Sequence, residues 1–188
     1  MLKVSNFIGS VAMVAALLGA APTTEATQAN ASKSAPTASG FVADLQKHWT
    51  TAQGLAVAVA EAMPAEDYSF KPVPEEMSFG EQMMHIADAN YGYCALLTGA
   101  KSPFVELAKD AKIEKADAVK QLTGSFEYCS AAFSKVSDAD LDTVHEAGDR
   151  KFVTRDVMLG VMIHMAHHRG QAEVYPRLKG IKPPEYKS

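Results

Sequence analysis

Apolar residues recur at every third or fourth position along four long segments of the chain, and glycine or proline separates these segments. Because an α-helix has about 3.6 residues per turn, this spacing places the apolar side chains on one helical face. The first stripe consists of Phe41, Leu45, Trp49, Ala52, Ala56, Val59 and Met63. It predicts a helix from about residue 41 to residue 63, which Pro64 ends.

Similar stripes predict a second and a third helix. The second begins at residues 78–81 (Ser-Phe-Gly-Glu), a sequence typical of a capping box, and ends near Thr98. The third covers about residues 112–136. Its stripe consists of Val119, Leu122, Phe126, Cys129, Phe133 and Val136. The polar segment 137–148 is expected to form one turn before a loop.

A fourth helix is predicted from Thr154, its expected N-cap, to Gly180. Pro176 lies inside this segment and is expected to kink or loosen the last turns. No segment has a convincing strand pattern. The four segments therefore predict an all-α four-helix bundle, in which periodicity does not fix the packing order.

The N-terminal segment has the features of a secretory signal peptide. Lys3 precedes an uncharged apolar run over residues 7–21, which is too short to span a bilayer comfortably. Cleavage is expected after Ala21, Ala26 or Ala31, and the alternative is a retained N-terminal anchor helix. Residues 1–31 are therefore assigned to the signal peptide and the start of a tether, 32–39 to a flexible linker and 40–188 to the bundle. The mature protein is expected to be exported, periplasmic or secreted.

Charge and cysteine content narrow the range of partners. The 188-residue chain has a net charge of -4 and no basic patch, which argues against nucleic-acid binding. No second hydrophobic segment is long enough for a stable membrane span after processing. Cys94 and Cys129 are the two cysteines. Export permits a disulfide between them, and two buried thiols are the alternative.

Two histidines on the fourth helix are the main chemical signal. The predicted inward stripe consists of Val157, Val161, His164, His168, Gln171, Tyr175 and Leu178. Residues four apart on a helix have Cβ atoms about 5–6 Å apart, so His164 and His168 can share one metal ion. The alternative is a pair of hydrogen-bonded core histidines. His167 lies off the stripe and is expected to face solvent or to stand behind the ligands.

His85 on the second helix is a candidate third ligand, at the edge of that helix's apolar stripe. Gln82 or Asp88, each about one turn away, could orient an imidazole through its second nitrogen. Arg169 is interpreted as a surface charge that could instead bind an anion. Gly170 suggests the close approach of a backbone or ligand. His48 and His145 show no pattern that assigns them a role.

Two blocks of sequence resemble the DinB family, also called DinB/YfiT-like. They are residues 77–99 (MSFGEQMMHIADANYGYCALLTG) and 164–184 (HMAHHRGQAEVYPRLKGIKPP). The resemblance implies a crossed-over four-helix bundle, a divalent metal held by His85, His164 and His168, and in many members a homodimer. Characterised relatives include transferases and isomerases that use small cellular thiols. Export and the position of Pro176 depart from that pattern.

Three functions remain open at this stage. The first is a metal-dependent hydrolase or thiol transferase acting on an unknown small molecule, with Asp88, Gln171 or Tyr91 as the nearest candidates for a general base. The second is a non-catalytic metal-binding module of the cell envelope. The third is a plain helical bundle that acts through a partner or dimer surface. Histidine ligands leave zinc, nickel, iron, copper and manganese open as the metal.

Overall fold

The computed structural model describes residues 39–108 and 111–186. The predicted signal peptide and nearly all of the predicted linker lie outside the described residues. The main helices are α1 (Phe41–Ala62), α2 (Phe79–Thr98), α3 (Lys115–Phe133) and α4 (Thr154–Ala172), and a short α5 (Val174–Leu178) follows. Among the described residues, no helix is both long and apolar enough to cross a membrane.

The four main helices form a bundle in which α2 packs against α3 and α4, and α1 packs against the same two helices. Consecutive helices α1 and α2 therefore lie across the bundle from each other. The predicted stripe of α1 is confirmed, since all its members are buried except the half-buried Phe41. The indole of Trp49 lies 4.8 Å from the ring of Phe126 and 5.3 Å from that of Phe133. Its Nε1 donates to the carbonyl of Phe126, 3.2 Å away, which satisfies the buried indole N–H.

The start of α2 is fixed by the predicted capping box. Ser78 Oγ accepts from the backbone N–H of Glu81 at 3.2 Å, and the Glu81 carboxylate accepts from the Ser78 N–H at 2.6 Å. The backbone N–H of Gly80 donates to the carbonyl of Tyr68 at 2.8 Å. A Cβ at Gly80 would lie 3.0 Å from Ile113 Cγ2 and 3.2 Å from that carbonyl oxygen. Glycine thus allows the preceding loop to cross the helix at close range.

A β-hairpin precedes α4, so the prediction of a chain without strands was wrong. Strands β1 (Val144–Ala147) and β2 (Arg150–Val153) pair antiparallel. The turn includes Gly148, whose φ of 58° suits glycine. Both strands have only four residues and are largely exposed, so they show no apolar alternation. The predicted single turn in segment 137–148 is the short 3-10 helix Asp138–Asp140.

The two ends of α4 differ from the prediction. Thr154 is the first residue of the helix and not its N-cap, which is Val153. The Thr154 hydroxyl lies 2.8 Å from Nε2 of His145 on the hairpin. At the other end, α4 stops at Ala172 and does not continue to Gly180. A proline inside a helix clashes with the carbonyl four residues earlier, which for Pro176 is the carbonyl of Ala172. The expected distortion is therefore confirmed, and it divides the predicted helix into α4 and α5.

A disulfide between Cys94 and Cys129 joins α2 to α3, with Cα atoms 5.3 Å apart. Both cysteines lie on the core stripes of their helices and are fully buried. Of the two alternatives for these residues, the structure has the disulfide.

Candidate metal centre

Three histidines meet between α2 and α4. Nε2 of His85 lies 3.2 Å from Nε2 of His164 and 3.2 Å from Nε2 of His168. One nitrogen from each ring lies within 4.8 Å of the others, and all three side chains are half-buried. The structure thus brings together the three residues that the sequence singled out, although 79 residues separate His85 from His164.

Hydrogen bonds alone do not satisfy this arrangement. The Nε2 atom of a neutral imidazole has one in-plane site, so it either donates or accepts a single hydrogen bond. His85 Nε2 faces two ring nitrogens, and at most one of these contacts can be such a bond. A cation among the rings would accept all three lone pairs. Two nitrogens bound at about 2.0–2.1 Å to a tetrahedral ion lie about 3.3 Å apart, close to the observed separations.

The cluster favours neutral imidazoles. Burial lowers the pKa of His168 to about 4, and the neighbouring His164 and His85 contribute to the lowering. Burial also lowers the pKa of His164, with further contributions from His85 and His167. Near pH 7 these two rings are therefore unprotonated and keep the lone pair that a metal ligand needs.

Gln82 contacts the His168 ring at Nδ1, the nitrogen that faces away from the other two histidines. Its side-chain nitrogen lies 3.0 Å from Nδ1 of His168 and 2.8 Å from Oε1 of Gln171. The two orientations of a glutamine amide have nearly the same shape, so this pair can present either an oxygen or an N–H to Nδ1. When Nε2 binds an ion, Nδ1 carries the proton, and the oxygen of Gln82 would accept it. Of the two predicted orienting residues, Gln82 occupies the position and Asp88 is exposed.

The histidines lie at the edge of the core, and the predicted inward stripe was wrong in part. The core side of α4 consists instead of Val157, Met158, Val161, Met165 and Ala172. Gln171 and Leu178 were predicted to face inward and are exposed. Because the buried side of α4 is rotated relative to the predicted stripe, His164 and His168 are only half-buried and are partly exposed to solvent. His167 is exposed as expected, and its ring centroid lies 4.9 Å from that of His168.

Two further predictions about α4 change. Arg169 was interpreted as a surface charge that could bind an anion, but its guanidinium is paired with the carboxylate of Glu173. Among the described residues, no atom beyond the helix's own backbone lies within 4 Å of the position where a Cβ of residue 170 would be, so no close approach there explains Gly170.

Tyrosines on α2 separate into two groups. Tyr91, a candidate general base, packs against Tyr128 at a ring distance of 5.5 Å, and its hydroxyl lies over Gly124 of α3, away from the histidines. Sequence reasoning missed Tyr93, whose ring centroid lies 6.2 Å from that of His164. Tyr93 follows His85 by eight residues, about two helical turns, and this spacing could have placed both on one face.

The His164 ring has one unpaired atom. Its Nδ1 is buried and has no hydrogen-bond partner among the described residues. The ring therefore gains its polar interaction through Nε2 alone, which adds to the fit of the cluster to a cation.

Comparisons with known proteins agree with this architecture. Two solved structures superimpose with a TM-score of 0.63: a DinB-like protein (YjoA) from Bacillus subtilis, 24% identical, and a DinB-like protein from Bacillus cereus ATCC 10987, 20% identical. The first match covers 77% of this chain and 98% of the other, and the second covers 76% and 95%. No curated protein matches the chain. Residues 48–172 match the DinB superfamily. The chain therefore belongs to the DinB superfamily.

Proposed function

We propose that this protein binds a divalent metal ion through Nε2 of His85, His164 and His168. The observation that carries the proposal is the convergence of three imidazoles on one point, where His85 Nε2 faces two nitrogens at 3.2 Å. Zinc, nickel, iron, copper and manganese all accept imidazole ligands, so the donor set leaves the metal open.

The open side of the cluster supports a reactive centre. Three protein ligands leave at least one coordination position, which is the pattern of catalytic and not of structural zinc sites. An ion held there would lower the pKa of a bound water or thiol, which suits a metal-dependent hydrolase or thiol transferase for a small molecule. The three rings are only half-buried, and the ring of Tyr93 lies 6.2 Å from that of His164 at the edge of the cluster.

One observation favours a non-catalytic metal-binding bundle as the second candidate. The group of residues near enough to share an ion contains three histidines and, among the described residues, no aspartate or glutamate. Hydrolysis at a metal is usually assisted by a positioned base, often a carboxylate. Without such a base, the role of the ion would be structural, since it would link α2 to α4.

Export is part of the proposal. The Cys94–Cys129 disulfide supports it, because stable disulfides are typical of oxidising compartments. Such a location argues against a cytosolic thiol as the second substrate. Intact mass of the protein recovered from the cell envelope or medium tests this point, since cleavage is expected to leave a first residue between Pro22 and Ser32. Recovery of the protein with Met1 in the cytoplasm would contradict export.

The metal proposal is tested by elemental analysis of protein purified without chelators. We expect about one equivalent in the wild-type protein, and less than a tenth in His85→Ala, His164→Ala and His168→Ala. His167→Ala is the matched control, because its ring lies beside His168 but is exposed. The proposal would be ruled out if the wild-type protein is purified without metal and its melting temperature does not change when zinc, nickel or manganese is added.

A cobalt-substituted sample separates the two candidate roles. An open coordination position is expected to bind azide or a small thiol and to change the visible spectrum of the ion. A spectrum that neither ligand changes, in a protein that holds one equivalent of cobalt, would favour the structural role.

A further inference from the structure

A glycine of α4 faces the ring of Tyr93 on α2. A Cβ at Gly160 would lie 3.0 Å from Cε1, 3.6 Å from Cζ and 3.7 Å from the hydroxyl oxygen of Tyr93, which are the nearest atoms outside α4 among the described residues. Glycine is unfavourable in the interior of a helix, because it loses more backbone entropy than alanine on folding. The close approach of Tyr93 accounts for a glycine at this position, whereas Gly170 on the same helix has no such neighbour.

The space that Gly160 leaves open lies beside His164. The two residues are four positions apart and therefore share one face of α4. Side chains of a helix lean toward its N-terminus, so that of His164 lies over the turn that begins at Gly160. The ring centroid of Tyr93 is 6.2 Å from that of His164, with 49° between the ring planes, which is a distance typical of aromatic contacts. Tyr93 therefore takes the place beside the imidazole that a side chain at position 160 would otherwise fill.

The two histidines of α4 are held in different ways. The Nδ1 atom of His168 has the side-chain nitrogen of Gln82 at 3.0 Å. The Nδ1 atom of His164 is buried and has no hydrogen-bond partner within residues 39–108 and 111–186. The torsion that turns an imidazole about its Cβ–Cγ bond is broad, so rotamer preference alone does not fix the plane of the His164 ring. The neighbouring side chains have to fix it by packing.

The contact of Tyr93 belongs to the same helix packing that assembles the histidines. Tyr93 lies eight residues beyond His85, which is about 12 Å along α2. Gly160 precedes His164 by about one turn on α4. The two helices therefore pass each other antiparallel, and the packing that brings His85 to His164 also brings Tyr93 to Gly160. The contact is made by the edge of the ring, because Cε1 lies closer to position 160 than the hydroxyl oxygen does.

We propose that Tyr93 is a positioning residue of the histidine cluster. Its ring limits the rotation of the His164 imidazole and so keeps Nε2 directed at His85 and His168, and Gly160 supplies the room for it. Helix α2 thus provides one ligand and two supports, the Gln82 amide for His168 and the Tyr93 ring for His164. This role rests on the proposed metal binding, which the orientation serves, although the contact of the rings requires no ion.

Metal affinity tests the role of the ring. Tyr93→Ala is expected to raise the metal dissociation constant about three- to tenfold, since a freed imidazole has to be immobilised when the ion binds. Tyr93→Phe keeps the ring and is expected to match the wild type. Tyr128→Ala is the matched control, because Tyr128 is also half-buried but packs on Tyr91 at 5.5 Å between α2 and α3. The proposal would be overturned if Tyr93→Ala binds as tightly as the wild type, or if Tyr93→Phe binds as weakly as Tyr93→Ala.

A double-mutant cycle tests whether Gly160 acts through Tyr93. Gly160→Ala brings a methyl group within 3.0 Å of Cε1, so the ring has to shift, and metal affinity is expected to fall by a similar factor. In the Tyr93→Ala background, the same change meets no ring and is expected to leave the affinity unaltered. Equal effects of Gly160→Ala in the two backgrounds would contradict the proposal.

The metal-free protein gives a readout that does not depend on the ion. The ring centroids of His85 and His164 are 4.9 Å apart, so nuclear Overhauser effects between their imidazole protons report the orientation of His164. These effects are expected in the wild type, Tyr93→Phe and Tyr128→Ala, and are expected to weaken in Tyr93→Ala. If they weaken as expected in a protein that binds no metal, the proposed function fails and the positioning by Tyr93 stands. If Tyr93→Ala leaves them unchanged, the positioning role is wrong, even in a protein that binds metal.

Discussion

The side-chain nitrogen of Gln82 lies 3.0 Å from Nδ1 of His168, the ring nitrogen that faces away from the other two imidazoles. Gln82 is buried, with 3% of its surface exposed, and its amide also contacts Gln171. The contact fixes the orientation of one candidate ligand from the side opposite the metal position.

Loss of Gln82 is therefore expected to weaken metal binding without removing a ligand. Partners behind a metal-bound histidine are typically worth about 10–100-fold in affinity, so Gln82→Ala is expected to raise the metal dissociation constant by that factor. Competition with a chromophoric chelator measures it. Gln46→Ala is the control, because Gln46 makes a comparable hydrogen bond to the Phe133 carbonyl on another face of the bundle. Equal affinities for Gln82→Ala and wild type would show that the amide does not support the ligand.

The capping box at α2 predicts a pH effect. The Ser78 N–H holds the pKa of Glu81 below its ordinary value of 4.5, with help from the Ser78 hydroxyl and Lys71 and against a weaker effect of burial. A carboxyl whose pKa is lowered in the folded state adds stability above its unfolded pKa. That stability is lost as the pH falls through the lowered value.

Glu81→Gln is thus expected to lower the free energy of unfolding modestly at pH 7 and to match the wild type at pH 2. Urea titrations across this range measure the difference. Glu75→Gln is the control, because Glu75 is exposed and makes no hydrogen bond or ion pair within the described residues. A Glu81→Gln deficit that persists undiminished at pH 2 would contradict the ionic origin of the effect.

Gly80 and Gly54 make a matched pair of alanine substitutions. Gly80→Ala is expected to destabilise the fold by about 1–3 kcal/mol, because its Cβ would press on Ile113 and on the Tyr68 carbonyl. In the interior of α1, the Cβ of Gly54→Ala would meet no other described residue within 4 Å, and this change is expected to stabilise the fold by up to about 1 kcal/mol. Chemical denaturation measures both. Changes of the same sign would contradict the crossing of loop and helix at Gly80.

The disulfide is expected to contribute strongly to stability. It closes a loop with a sequence separation of 35 residues, for which the chain-entropy relation gives about 4 kcal/mol. Replacing both Cys94 and Cys129 with alanine is expected to lower the free energy of unfolding by that order. Reductant should destabilise the wild type and leave the double variant unchanged. A wild-type unfolding midpoint that reductant does not move would contradict this prediction.

Much of the fold could be predicted from the sequence, because a long amphipathic helix repeats the same spacing of apolar residues in every turn. The seven-residue stripe of α1 and the capping box at Ser78 are both observed. The hairpin was missed because strands of four residues with mostly exposed side chains carry little hydrophobic signal. Pro176 was expected to kink or loosen the last turns, and the structure ends α4 at Ala172, because proline chemistry locates a distortion without giving its size.

The candidate site follows from the sequence in part. Spacing linked His164 to His168, and the family resemblance supplied His85. Periodicity did not place the histidines at the edge of the core, because α4 carries two overlapping apolar stripes. Val157 and Val161 are buried as predicted, but Met158 and Met165, and not His164 and His168, complete the buried side. Spacing along α2 could have placed Tyr93 on the same face as His85, but its contact with His164 follows only from the packing of α2 against α4.

Helix α2 is connected to a different neighbour on each side. Cys94 forms a disulfide with α3, and His85 lies against two histidines of α4. With an ion at the cluster, two removable cross-links would hold the same helix, one opened by a reductant and the other by a chelator. Each treatment alone would leave α2 fastened on one side. The two together would release it from both neighbours, so their combined effect on unfolding rates would report how far α2 holds the bundle together.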